Sequence, residues 1–291
     1  MVDESIPIPA WSERCSRLRM AFTVDVEDWF CSPELSLDEW ERYEIRLERP
    51  LHHILDMMEE RSALGTFFVL GWVAEKRPDL VKEIARKGHE IASHGYSHRL
   101  VYHQSANEFR EDIRKSKHIL EHITGEQVLG YRAPCFSITE AALDILSEEG
   151  FVYDSSIIPN TLNTSYSKFN LAPSLLSPFR IKRNLWEVPM PVLPVGRLNI
   201  PWGGGGYFRI YPYRLFYSGA RSIIKTKGSF IYYTHPYDLD DGQPQIFNSS
   251  WMNSLRRYYG LKNTAKKIKR LLSHFTCTSI REYHPVIFER K

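Results

Sequence analysis

LGTFFVLGWVAEKRPDLVKEIARKGHEIASHGYSH, residues 64–98, contains one complete strand–helix–strand passage. The run LGTFFVLG is short and almost wholly apolar, as a strand buried on both faces must be. Pro78 stands where a helix tolerates proline, at its first position, the amphipathic stretch DLVKEIARK follows, and Gly88 ends it. HEIASH is then the next buried strand. The rhythm extends in both directions, from about Met20 to Ser156. Upstream, AFTVDV is a strand candidate, and Leu51 to Glu60 sets Leu51, Ile54, Leu55 and Met58 at helical spacing. Downstream, a helix from Ser105 to Thr124 stops at Gly125, strand VLGY follows, a helix from Thr139 to Glu149 stops at Gly150, and FVYD is a further strand. Four successive passes of this kind predict parallel strands with helices outside, in an open sheet or a barrel.

Beyond Ser156 the rhythm weakens. A stretch rich in Asn, Ser and Pro from Pro159 to Pro178 reads as a long excursion, after which LWEVPM, YFRIY and FIYYTH are strand candidates. Tyr258 to Leu272 reads as a helix whose stripe of Leu261, Ala265, Ile268 and Leu272 packs back on the body. The 291 residues, 43% of them apolar, suffice for a sizeable core. A net charge of +3 gives no ground for a nucleic-acid partner, and no apolar run is long enough to span a bilayer. The opening MVDESIPIPAWSERC lacks the basic-then-apolar order of a secretory signal. Cys15, Cys31, Cys135 and Cys277 have neither zinc-knuckle nor disulfide-framework spacing. Both features point to a reducing, cytoplasmic compartment. The sequence sets no oligomeric state.

Chemistry gathers at the strand ends. His94 and His98, four residues apart directly after HEIASH, can turn two imidazoles toward one point. The first strand ends in Asp25, Val26, Glu27 and Asp28, and alternation puts Asp25 and Glu27 on one face. Two histidines and two carboxylates at neighbouring strand ends make a carboxylate-plus-two-histidine metal site with one carboxylate to spare. In GYRAPCF, Arg132 ends the fourth strand, where a guanidinium can hold a carboxylate ionised and oriented, and Pro134 stiffens the turn after it. In FIYYTHPYD, His235 ends a further strand.

These four blocks, in this order, resemble the NodB-homology polysaccharide deacetylases, carbohydrate esterase family four, over about Met20 to Asp238. The resemblance implies a distorted (β/α) barrel, often of seven parallel strands, at residues 20–240 with an excursion around 157–210, and a helical segment at 241–291 packed on it. It implies hydrolysis of an N-acetyl group on a sugar, in a polysaccharide or smaller glycan, with a divalent cation, commonly zinc. His94, His98 and either Glu27 or Asp28 would hold the cation. In that scheme Asp25 is the base, Arg132 orients it, the backbone N–H of Cys135 helps to bind the oxyanion, and His235 protonates the leaving nitrogen. VDVED departs from the tandem aspartate of most members and looks more like a branch that includes peptidoglycan-deacetylase-like and allantoinase-like proteins. A small non-sugar amide or ureide is therefore a second substrate class, and a glycan-binding relative without turnover is a third reading. The whole chain, with DVEDWF, YDSSI, GGGGYFR and HPYD, is similar to deacetylases encoded with exopolysaccharide biosynthesis.

Three features stand outside that scheme. Gly203 to Gly206 lack the following Lys and Ser/Thr of a phosphate loop and read as a flexible loop facing the substrate. Trp186, Trp202, Tyr207, Phe208 and Tyr211 surround it, either as sugar-stacking rings or as core. The basic run Lys262 to Arg270 reads as a solvated helix face, and the Cys135 thiol, with no evident base, as wall.

Overall fold

The computed structural model describes residues 17–159, 177–196, 198–245 and 257–289. The opening segment with Cys15, and most of the Asn-, Ser- and Pro-rich excursion, lie outside the described residues. The strands are β1 (Arg19–Val26), β2 (Thr66–Val69), β3 (Glu90–Ser93), β4 (Gly130–Tyr131), β5 (Tyr153–Asp154), β6 (Phe179–Lys182), β7 (Leu185–Glu187), β8 (Val192–Val195), β9 (Leu198–Pro201), β10 (Ile231–Thr234) and β11 (Thr276–Thr278). In the order β10-β1-β2-β3-β4-β5-β7 every pairing is parallel, β6 adds an antiparallel edge, and β11 lies beside the start of β1. The sheet curls into a half-barrel, the distorted parallel architecture that the sequence predicts.

Strand alternation divides the core into two layers. Phe22, Val24 and Val26 of β1, with Phe67, Val69 and Ile91, pack under helix residues such as Leu51, Ile54, Leu80 and Ile113. Ala21, Phe68, Ala92, Tyr153 and Ile231 face the other way and form an inner cluster with Ile280 and Ile287. Those two isoleucines come from the last segment, which supplies the strand β11 as well as the expected helix.

The helices start and stop on local chemistry. Ser105 caps the helix Ala106–Thr124 in a reciprocal box with Glu108, and Gly125, at φ 73°, ends it. Thr139 caps the helix Glu140–Glu148. Three sequence expectations fail in the later half. YFRIY is not a strand but part of the helix Gly205–Ile210, because Phe208 must pack against Phe216 and Tyr232. The last long helix begins at Leu261, not Tyr258, since Gly260 adopts a left-handed φ of 77°. The glycine run is no flexible loop: Gly203 to Gly205 are buried, and Tyr233 N donates to Gly203 O at 2.9 Å. A Cβ on Gly204 would stand 2.0 Å from Tyr233 O, so only glycine lets this backbone approach β10.

Candidate active site

Strand register sets the layer that carries chemistry. Val26, Val69, Ser93, Tyr131 and Asp154 are successive partners across β1 to β5. Glu27, His94, Arg132 and Ser155, each one residue further, therefore share one level just past the carboxyl ends of the strands, where parallel folds build their sites.

Asp25 points inward from β1, and Arg132 Nη1 donates to its Oδ1 at 2.7 Å. The same nitrogen donates to Thr23 Oγ1 at 2.9 Å, while Nε and Nη2 donate to Ser155 O and Ser155 Oγ at 3.1 and 3.2 Å. With its guanidinium carbon 4.1 Å from the centre of the Phe68 ring, Arg132 is fully buried and fixed on every side.

Glu27, His94 and His98 offer three ligand atoms that all lie within 4.8 Å of one another. Glu27 Oε2 is 2.7 Å from His98 Nε2 and 3.8 Å from His94 Nε2. His94 Nδ1 makes a 2.8 Å hydrogen bond with Arg132 O, which as an acceptor fixes the proton on Nδ1 and leaves Nε2 a lone pair toward the cluster. Burial pushes His94 down to about 4. Burial alone would raise Glu27, but the surrounding imidazoles, His98 first, hold it down at about 2. One carboxylate oxygen and two imidazoles, buried and converging, are a donor set that fits a divalent cation of the zinc type. His98 adopts φ 53°, a strained value for a non-glycine residue, and the loop before it is held from outside. Asp112, on the helix Ala106–Thr124, accepts from Tyr96 N, Ser97 N and Ser97 Oγ at 2.8, 3.1 and 2.5 Å.

Asp28 is not in this cluster. Its carboxylate accepts from Trp29 N, Arg46 N and Leu47 N at 2.7, 2.6 and 2.9 Å, so it braces a loop, and burial pushes it up to about 6 despite those donors. Of the two carboxylates that the sequence left open, Glu27 is the one beside the histidines.

His235 closes the opposite side. Its Nε2 stands 3.6 Å from Glu27 Oε1 and 3.8 Å from Asp25 Oδ2, and its ring stacks on Tyr237 at 4.5 Å. Asp238 Oδ2 is 3.1 Å from His235 Nδ1 and accepts from His235 N and Thr234 Oγ1, while Asp238 Oδ1 pairs with buried Arg209. Sequence reasoning missed Asp238, Arg209 and Asp112 as supports; only Asp238 carried a local signal, its i, i+3 spacing from His235. Cys135 lies on the short turn Pro134–Phe136 directly after Arg132, exposed and at φ 50°.

The surrounding aromatics divide. Trp202 and Phe208 are core, whereas Trp186, Tyr207 and Tyr211 are half-buried. The basic run is not wholly solvated, since Lys267 Nζ donates to the carbonyls of Phe208, Arg209 and Tyr211 at 3.1, 2.7 and 2.9 Å. No helix among the described residues is long and apolar enough to cross a membrane.

A carboxylate and two imidazoles gathered for a cation, beside a second carboxylate and a third imidazole, at the strand ends of a parallel half-barrel, define a candidate metallohydrolase centre. Residues 47–153 match the family model for polysaccharide deacetylase, and residues 155–285 match a domain of unknown function, DUF3473. Over residues 47–153 the chain is thus similar to polysaccharide deacetylases, and a second family model takes over directly after β5. The chain is 37% identical over 99 residues to a peptidoglycan-N-acetylglucosamine deacetylase of Bacillus cereus, covering 34% of this chain and 36% of the relative. It is 28% identical over 176 residues to the peptidoglycan deacetylase of Helicobacter pylori, covering 59% and 60%. The chain thus spans between about a third and three fifths of these curated relatives. A solved structure from Mycobacterium smegmatis, described as a polysaccharide deacetylase, shares the fold with a TM-score of 0.63 at 20% identity, covering 98% of this chain and 95% of that one.

Proposed function

We propose that this protein removes the acetyl group from an N-acetylated sugar of a polysaccharide or oligosaccharide by cation-assisted hydrolysis. The observation that carries the reading is the juxtaposition of the Glu27–His94–His98 cluster with Asp25, whose Oδ1 is tied to Arg132 while Oδ2 stands 3.8 Å from His235 Nε2. A divalent cation at the cluster, zinc in this reading, supplies Lewis acidity that acidifies water and polarises the acyl oxygen. Asp25 takes the proton of the attacking water at Oδ2. Arg132, bonded to Oδ1, fixes the direction in which Oδ2 points. The backbone N–H of Cys135 stabilises the developing oxyanion, an interaction worth roughly 3 kcal/mol for one well-placed donor. His235, held at Nδ1 by Asp238, delivers a proton from Nε2 to the departing amine; burial pushes its pKa down, and the facing Glu27 and Asp25 carboxylates oppose that shift and favour the protonated ring. Free amine and acetate result.

The relatives' names support an N-acetylated glycan as substrate. Acetate release from a panel of N-acetylated oligosaccharides should appear with the metal-loaded protein and vanish on chelation. Binding of the same sugars without acetate release would replace the hydrolase reading with that of a glycan-binding relative. Release only from small ureides would move the substrate class.

A further inference from the structure

Asp154 and Glu187 are in-register neighbours on β5 and β7, and both are fully buried. Each carboxyl uses one oxygen to position other groups. Ser156 Oγ donates to Asp154 Oδ1 at 2.5 Å, and Ile157 N donates to Glu187 Oε1 at 2.9 Å. The remaining oxygens, Asp154 Oδ2 and Glu187 Oε2, are buried and receive no hydrogen bond from any amide, hydroxyl or cationic donor among the described residues. In-register pairing of β5 with β7 sets the two carboxyls side by side, close enough for each to act on the other. Two adjacent carboxylates in a dry interior cannot both ionise, whereas one proton between them turns repulsion into a strong hydrogen bond. Burial raises both groups, Glu187 far above the carboxylate range, and nearby Arg132 opposes the shift.

What this pair supports is the seat of Arg132. Ser156 Oγ, besides donating to Asp154, accepts from Ala133 N at 2.8 Å. Ser155, between them, accepts two hydrogen bonds from the guanidinium and donates from Oγ to Val188 O at 2.9 Å. The backbone of residues 154–157 therefore holds both the group that aims Asp25 and the entry to the Pro134–Phe136 turn. We propose that Asp154 and Glu187 share a single proton and act as paired positioning residues for Arg132 and the turn that carries Cys135. The positioning role rests on the deacetylase reading; the shared proton does not.

Amide substitutions separate the possibilities. Asp154→Asn or Glu187→Gln alone still leaves one N–H or O–H to bridge the pair. In the double variant Ser156 and Ile157 keep the two amide oxygens engaged, so two NH₂ groups must face each other. Denaturant unfolding should show the double variant's folding constant lowered roughly tenfold or more beyond the product of the single effects. Simple multiplication, or a single amide that raises the folding constant roughly tenfold by relieving repulsion between two carboxylates, overturns the shared proton. For the positioning role, Asp154→Ala should lower kcat for acetate release roughly 10- to 100-fold, with KM and bound metal retained, and Asp154→Asn should restore it. Should Asp154→Ala fail to fold, Ser156→Ala leaves both carboxyls in place but removes the hydroxyl that joins Asp154 to Ala133, and the same kcat loss is expected. Wild-type kcat or lost metal in the folded variant overturns the positioning role. A wild-type protein that releases no acetate fails the deacetylase reading instead, and the unfolding cycle still decides the proton.

Discussion

From Arg19 to Asp154 each strand reaches its neighbour through helices, the later two started by their own Ser105 and Thr139 caps, whereas the strands after them are held by partners far off in the chain. Ser105, Gly125 and Thr139 act on residues within four positions of themselves. By contrast, Thr23 Oγ1 donates to Tyr232 O across 209 residues, and Gly204 exists to meet Tyr233. The site inherits this division. Asp25, Glu27, His94, His98 and Arg132 come from the locally specified half; His235, Asp238 and Arg209 come from the half that long-range contacts specify. The lesson is that a cation corner and an acid corner can be perturbed separately.

The largest effect should follow loss of the cation corner. The His94→Ala, His98→Ala double variant should lose bound metal and all measurable acetate release while remaining folded, as elemental analysis and circular dichroism would register; a full equivalent of retained metal would break the comparison. Asp25→Asn should keep the metal and lose about 10²- to 10⁴-fold in kcat on amide and aryl ester alike. His235→Ala should cost a similar factor on N-acetylated sugar but spare much of the turnover of an aryl acetate, whose leaving group needs no proton. Equal loss on both substrates would join the two corners again.

A pair of glycines compares the halves in stability. Gly125→Ala meets nothing within 4 Å and bears only its left-handed φ of 73°, a cost of about 1 kcal/mol. Gly204→Ala collides with Tyr233 O and should cost about 3 kcal/mol, readable as a shift in the unfolding midpoint. The last comparison concerns pH. Burial lowers His89 to about 4 and His284 to about 3, so each imidazole stays neutral in the fold after the unfolded chain has begun to bind a proton. Stability should therefore fall as pH drops from the unfolded value of 6.5 toward 4 at His89 and toward 3 at His284. His284→Asn should flatten the acid side of the stability curve more than His89→Asn; the reverse order would give the larger shift to His89.

The first half was legible because its signals are local. Capping residues, stop glycines and apolar runs located β1 to β5, and strand-end positions then located Asp25, Glu27, His94, His98 and Arg132. The choice between Glu27 and Asp28 was not local, since it depends on Arg46 and Leu47 reaching back to the Asp28 carboxylate. YFRIY reads as a strand by alternation, and its helix is set by contacts of Phe208 with Phe216 on the next helix and with Tyr232 on β10. Arg209 was invisible for the same reason: its importance is its contact with Asp238.

The placement of β11 and of Ile280 and Ile287 bears on how the chain is made. Strand β1 is synthesised early, yet its neighbours β10 and β11 and the isoleucines of the inner cluster come some 200 residues and more later. At ordinary elongation rates that is roughly 10–50 s in which a nascent strand rich in Phe and Val has an open edge. A ribosome-bound chain must therefore be shielded by a chaperone or by its own finished βα units until the last segment emerges. Until β10 has emerged, the carboxylates of β1 and the imidazole of His235 remain apart.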